Sequence, residues 1–317
     1  MSAQGQEDST GARLGVQSAT GQQNLTGAPQ RAPSAADQQS FASGSQAVRG
    51  VPDRRTPAGA GAGPAAVTDL PLIRFVLRLA DTSLVLAQRL GEWVGHAPAL
   101  EEDLGLANIS LDLLGQARFL LSYAGELEGR GRTEDDFALM RDGSDYLNHT
   151  LAEQLNGDFG RTIVRQVLID AFQLELYEAL QTSSDARLAE IAAKALKETR
   201  YHFRYSAGWL IRLGDGTAES HARVQSALDD LWRFTREFFA GDETDHAMAD
   251  RGVAPKLSDL EPRWLARIDE VLSEATLKRP PNAPYSWHGK RGEHTEHLGY
   301  LLAEMQFMHR AYPGAQW

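Results

Sequence analysis

From about residue 68 onward the apolar positions recur at steps of three and four, and period-two alternation is almost absent. That spacing predicts helices throughout and no sheet. The first helix is expected over about 69–94, with Pro71 tolerated in its first turn. A GHAP break at 95–98 separates it from a second over about 99–124. Shorter helical material around 133–154 leads to a third long helix over about 158–181. Ser183, Ser184 and Asp185 offer N-caps for a fourth, which continues to Leu213 and stops at GDG, a C-terminal glycine signal. Three more are expected over about 219–247, 258–276 and 292–311. The fold class is all-α. Connected up and down, the four long helices would make a four-helix bundle with additional C-terminal helices. No βαβ alternation and no solenoid period is present.

Polar residues interrupt the apolar seams at regular places. In the fourth helix Leu188, Ile191, Ala195, Glu198, His202, Tyr205 and Trp209 succeed one another at steps of 3, 4, 3, 4, 3 and 4. Glu198 and His202 therefore lie on the stripe that faces other helices. The third helix repeats the pattern with Ile163, Val167, Asp170, Leu174 and Tyr177, and the first with Leu77, Asp81, Leu84 and Gln88. In the second, Asn108, Asp112 and Gln116 form a polar line beside Ile109, Leu113 and Leu120. Four consecutive helices thus send polar groups toward a shared interior, where charge needs partners.

Dinuclear carboxylate bundles use one Glu from each of two helices and Glu-x-x-His from each of the other two. This chain departs from that set three times. Its Glu198–His202 spacing is i, i+4; Gly115 stands three residues after Asp112, where the second imidazole belongs; and Asp81 and Asp170 replace glutamates. The set Asp81, Asp112, Gln116, Asp170, Glu198 and His202 reads as a degenerate interior pocket without a metal. The same residues read best as a hydrogen-bonded network inside the bundle, in which Glu198 accepts from His202 and Arg or Gln side chains neutralise the aspartates, with partial exposure at an interface as the other reading.

Composition changes the picture at the N-terminus. Residues 1–67 are rich in Gly, Ala, Ser, Gln and Pro without apolar periodicity, so a disordered low-complexity tail is expected there and one helical domain over 68–317. The tail has no continuous apolar stretch of a signal peptide, and Glu7 and Asp8 argue against a transit peptide. The absence of Cys excludes disulfides, thiolate metal sites and cysteine nucleophiles. A net charge of −11 disfavours nucleic acid as a partner, and no apolar run is long enough to span a bilayer. A cytoplasmic protein is expected.

Other constellations invite chemistry less strongly. His294 and His297 are three apart in GEHTEHLGYLLAE, with Glu293, Glu296 and Glu304 near, but polar caps in a first helical turn explain them as well. Lys290 and Arg291 suit either CoA phosphates or an exposed basic turn, and the turn is the simpler reading. Trp232, Phe234, Phe238 and Phe239 fall on more than one helix face, which suggests association. Neither a Gly-rich phosphate loop nor GxSxG nor HExxH occurs.

Four longer strings carry a family resemblance: RLGEWVGHAPALEEDLGLANISLDLLGQAR (89–118), KALKETRYHFRYSAGWLIRLGDGT (194–217), LWRFTREFF (231–239) and GEHTEHLGYLLAEMQ with the closing PGAQW (292–317). They resemble the structural, C-type subunits of bacterial phenylacetyl-CoA epoxidases, also called ring 1,2-phenylacetyl-CoA oxygenases. The resemblance covers essentially all of 68–317 and leaves out the tail. It implies a ferritin-like fold and a heteromeric complex. A paralogous catalytic subunit would carry the di-iron site, and a reductase would deliver electrons from NADPH. Small accessory subunits would complete the complex. This chain would pair with the catalytic subunit and stabilise it, with no catalytic, cofactor or metal site of its own. Two other readings stay open: a di-metal oxygenase with an unusual ligand set, and a freestanding helical binding protein.

Overall fold

The computed structural model describes residues 69–284 and 287–315, so the tail expected over 1–67 lies outside the described residues. Four long helices appear close to where the periodicity placed them. Helix α1 (Leu70–Gly91) opens where Asp69 accepts from the Leu72 N–H at 3.2 Å, with Pro71 in the first turn. Helix α2 (Leu100–Glu128) ends on Gly129 at φ +66°, a conformation that costs glycine little. A short α3 (Glu134–Leu139) follows. Asp158 caps α4 (Phe159–Leu180) by accepting from Arg161 N at 2.8 Å, and Asp185 caps α5 (Ala186–Gly214) by accepting from Leu188 N at 2.8 Å.

The connection between the helices differs from the up-and-down order. Ser110 Oγ donates to Ala87 O at 2.8 Å, which joins the end of α1 to the start of α2 in an antiparallel hairpin. Helices α4 and α5 make a second hairpin through a short turn. Across the two, Tyr205 donates to Glu102 at 2.5 Å and Tyr123 to Asp185 at 2.6 Å, so α2 and α5 are antiparallel. Helices α2 and α4 therefore point the same way, and the 129–158 segment must return along the bundle. One long crossover of this kind is the ferritin-like arrangement.

Part of that crossover is the least expected feature of the fold. Residues 146–154 are all buried, yet they form no helix. Buried irregular backbone needs hydrogen-bond partners, and side chains provide them. Asp81 accepts from Leu147 N at 2.9 Å, Thr82 from His149 N at 3.1 Å, and Glu237 from Thr150 N at 2.7 Å. Arg89 donates to Glu153 O at 2.9 Å and Arg165 to Gln154 O at 2.5 Å.

Beyond α5 the single helix expected over 219–247 is broken into pieces. They are α6 (Ala218–Leu231), a 3-10 turn (Trp232–Phe234), α7 (Arg236–Phe239) and α8 (Glu243–Asp250). Thr235 Oγ1 donates to Trp232 O at 2.8 Å, competing with the backbone ladder, and Asp242 with Asp245 forms a capping box that starts α8 afresh. Then come α9 (Leu257–Glu274), a 3-10 turn (Gly289–Arg291) and α10 (Glu296–Ala311). Among the described residues the only β-like feature is an isolated bridge between His288 and Glu293.

Two sequence expectations are corrected here. Trp232, Phe234 and Phe238 are buried inside the chain, not offered for association. Phe238 stacks on Phe172 at 4.5 Å and meets Trp264 edge-on at 6.2 Å, fastening the C-terminal helices to α4. The GDG signal does mark the end of α5, but not by a left-handed glycine, since the cap is Asp215 at φ −90°. Gly214 matters for another reason: a Cβ there would overlap the carbonyl oxygen of Ala275, just past the end of α9.

Candidate functional site

The polar stripes of α2, α4 and α5 do meet, but in separate partnerships rather than around one centre. Glu198 Oε2 accepts from Gln116 Nε2 at 3.0 Å, and His202 Nε2 donates to Asp112 Oδ2 at 3.1 Å. The expected Glu198–His202 bond is thereby corrected. Both side chains reach across to α2 because four residues forward on α2 match four residues back on antiparallel α5. Together with Glu102–Tyr205 and Tyr123–Asp185, these pairs zip α2 to α5 along a polar seam.

Asp170 lies on the inner face of α4 and is fully buried. Its two oxygens accept from Gln166 Nε2 and Ser206 Oγ, each at 2.7 Å. Burial pushes its carboxyl up to about 6, against the opposing pull of His202, Ser206 and Gln166. Asp81 stands apart from this group. Arg141 grips it with a two-nitrogen fork, one contact at 3.0 Å, and Leu147 N completes its shell at 2.9 Å. Asn108 is exposed on the outer face of α2 and joins no polar interior.

A dinuclear metal does not fit this arrangement. Bridging ligands must turn several carboxylate oxygens and imidazole nitrogens toward a common point. Here Asp81 is neutralised by an arginine, Asp170 is closed by an amide and a hydroxyl, and Asp112 leans outward with a 40% exposed side chain. Among the described residues no group of three or more His, Asp or Glu side chains is placed to hold a metal ion.

The C-terminal constellation also takes a different form. The His294 side chain is only 7% exposed, with Nδ1 2.8 Å from Glu153 Oε2 and Nε2 2.9 Å from Tyr146 O. Both ring nitrogens face acceptors, so the ring is held as an imidazolium. Burial opposes that charge, but Glu153 and the Tyr146 carbonyl outweigh it and raise the pKa above the ordinary histidine value. His294 thus anchors the crossover to the start of α10 rather than pairing with His297 on a metal. Lys290 is buried too, which corrects the exposed basic turn. Its ammonium donates to Asp245 at 2.9 Å and to Ala240 O at 2.7 Å, while exposed Arg291 reaches Asp242 from the surface at 3.7 Å.

Lys290 belongs to a network the sequence reading missed. Arg78 on α1 donates to Asp242 at 2.9 Å and to Asp245 at 3.1 Å, all three being buried. The charge of Arg78 and Lys290 and its hydrogen bonds hold Asp242 well below the usual carboxylate range despite burial. Nearby His149 is driven well below the ordinary histidine value by burial and by the cations Lys290 and Arg78. Two signals were available: an Asp-x-x-Asp box at 242–245, and an arginine flanked by Val76, Leu77, Leu79 and Ala80 on α1. Neither says which partner it takes.

Residues 60–317 match the family described as phenylacetic acid catabolic protein. The chain is also similar to the C-type subunit of 1,2-phenylacetyl-CoA epoxidase from Escherichia coli (strain K12), at 53% identity over 246 residues spanning 78% of this chain and 99% of that protein. No helix among the described residues is long and apolar enough to cross a membrane. A match over most of the chain, on a ferritin-like bundle whose polar seam is closed by its own partners, shows that the chain belongs to the phenylacetic acid catabolic protein family.

Proposed function

We propose that this chain is the structural subunit of a multicomponent oxygenase that epoxidises the ring of phenylacetyl-CoA, pairing with and stabilising the subunit that holds the di-iron site. The observation that carries the reading is that the carboxylates of the four polar seams are engaged by the chain's own side chains: Asp81 by Arg141, Asp112 by His202, Asp170 by Gln166 and Ser206, Glu198 by Gln116. Such an interior preserves a bundle's shape and leaves the chemistry to a partner. The chain takes no cofactor of its own. NADPH serves through a reductase, and small accessory subunits complete the assembly. Its proposed location is the cytoplasm, where CoA thioesters are made and used.

Co-expression with the candidate catalytic subunit tests the partnership. A fixed-ratio complex is expected, with iron following the catalytic subunit. If the two chains stay apart at micromolar concentration, the subunit reading fails and a freestanding binding protein becomes the better account. Metal analysis of the purified chain tests the interior: stoichiometric iron that disappears in Glu198→Ala would make the chain an oxygenase in its own right.

A further inference from the structure

Helix α2 is apolar on two faces, and only one of them is used within the chain. Leu106, Ile109, Leu113 and Leu120 are buried in the bundle. On the opposite side Leu100, Leu104 and Leu111 are 70%, 58% and 64% exposed, and Phe119 is also exposed. With Asn108 and Gly115 between them, these residues follow at steps of 4, 4, 3, 4 and 4, the seam a helix offers to another helix. At Gly115 nothing lies within 4 Å of where a Cβ would stand, so the stripe has a shallow notch at its middle.

Beside this stripe the exposed face of α5 is basic. Lys194, Lys197, Arg200 and Arg204 are all exposed, and none makes an ion pair among the described residues. Lys194 Nζ lies 4.1 Å over the Phe119 ring, which joins the two strips into one surface, and exposed Tyr201 sits between the cations. Four unpaired cations in a chain of net charge −11 are a local reversal of sign. The stripe is roughly 28 Å long and about 20 Å wide across two helices, on the order of 600 Å² against ~800 Å² per partner in a standard interface.

We propose that the outer face of α2 and α5 is the docking surface for the catalytic subunit, and that this partner meets it with an apolar helical seam flanked by carboxylates. The inference rests on the proposed function for the partner's identity, while the chemistry comes from the face itself. The leucine stripe supplies the buried centre of the interface, the basic strip of α5 selects an acidic rim, and the notch at Gly115 lets the partner's backbone approach. Because the polar α2–α5 seam lies directly beneath, with Asp112 partly open to this side, docking would cover that seam from solvent.

The test is pull-down and titration of the full chain against its co-expressed catalytic subunit, using Leu104→Glu, Leu111→Glu and a Lys197→Glu/Arg204→Glu pair. Tyr300→Glu and Phe307→Glu on the exposed side of α10 serve as comparison. All substituted positions are exposed, and circular dichroism with thermal melting confirms that each variant folds. Each leucine variant is expected to weaken pairing at least tenfold. The charge-reversal pair is expected to weaken it about tenfold at low salt and less at high salt, with the α10 variants near wild type. If wild type pairs and all α2 and α5 variants pair equally well, the docking surface is wrong and the proposed function stands. Loss confined to the α10 variants overturns the inference in the same way. Failure of wild type itself to pair sinks the functional reading. A homodimer of the free chain, abolished by Leu111→Glu, or binding to anionic phospholipid vesicles through this face, would assign the surface to another occupant and overturn the inference.

Discussion

Replacing Asp170 by Asn should stabilise the protein, and by more at pH 8 than at pH 5. Asp170 is wholly buried, and burial raises its carboxyl to about 6 from an ordinary 3.8. A carboxyl with a raised folded pKa holds its proton more tightly in the fold than in the unfolded chain. Its penalty is therefore absent below the unfolded value, grows between 3.8 and about 6, and is constant above. A gap of about two pKa units, at ~1.36 kcal/mol each, gives about 3 kcal/mol at pH 8 and about 1.5 kcal/mol at pH 5. Asn has nearly the same size, keeps an acceptor for Gln166 or Ser206, and cannot ionise. Any hydrogen bond lost by the substitution is lost at both pH values, so it cancels in the comparison. Urea unfolding of the wild-type and Asp170→Asn chains, followed by far-UV circular dichroism at both pH values, measures the difference. An excess stabilisation of about 1.5 kcal/mol at pH 8 is expected. A pH-independent effect would refute the dry, closed environment assigned to Asp170. A change of opposite sign would mean that a nearby cation holds the carboxylate ionised, as in a functional metal site.

Three further outcomes follow from other buried groups. Arg141→Met leaves Asp81 buried without its cation and should cost about 3–5 kcal/mol in urea unfolding. Adding Asp81→Leu should recover at least about 2 kcal/mol relative to the sum of the single variants, and strict additivity would deny the pair. His294 has a raised folded pKa, so its contribution is complete below the unfolded histidine value and is lost as pH rises through the folded one. The destabilisation by His294→Gln should accordingly be larger at pH 6 than at pH 9, and an effect that grows with pH would contradict the imidazolium assignment. Phe238→Ala opens a cavity beside Phe172 and Trp264 and should cost about 3–5 kcal/mol in thermal or urea unfolding. A cost below about 1 kcal/mol would return that aromatic cluster to the surface.

Helix periodicity is a local property, and the sequence carried it well. The seam through Asp170 is buried throughout, and the one through His202 is buried at Leu188, Ile191, Ala195 and His202 but half-buried at Glu198, Tyr205 and Trp209; 3.6-residue geometry alone decides which residues share a face. The cap at Asp185 was equally local. The broken 219–247 segment was not, because apolar residues on several faces of one continuous helix look the same as apolar residues distributed over four shorter pieces.

By itself the sequence determined the all-α class, the four long helices, the faces they bury and, through its long shared strings, the family. Tertiary structure decided which side chain meets which. Asp81 has the same seam position as Asp170, yet one takes an arginine from the crossover and the other an amide and a hydroxyl. Glu198 and His202 sit one turn apart, yet each bonds to α2 and not to its neighbour. The reason is register: apart from Gln166, one turn before Asp170 on the same helix, these partners lie 36 to 90 residues away, set by how two helices slide past each other and where a crossover is buried, and neither quantity leaves a periodic trace in the chain.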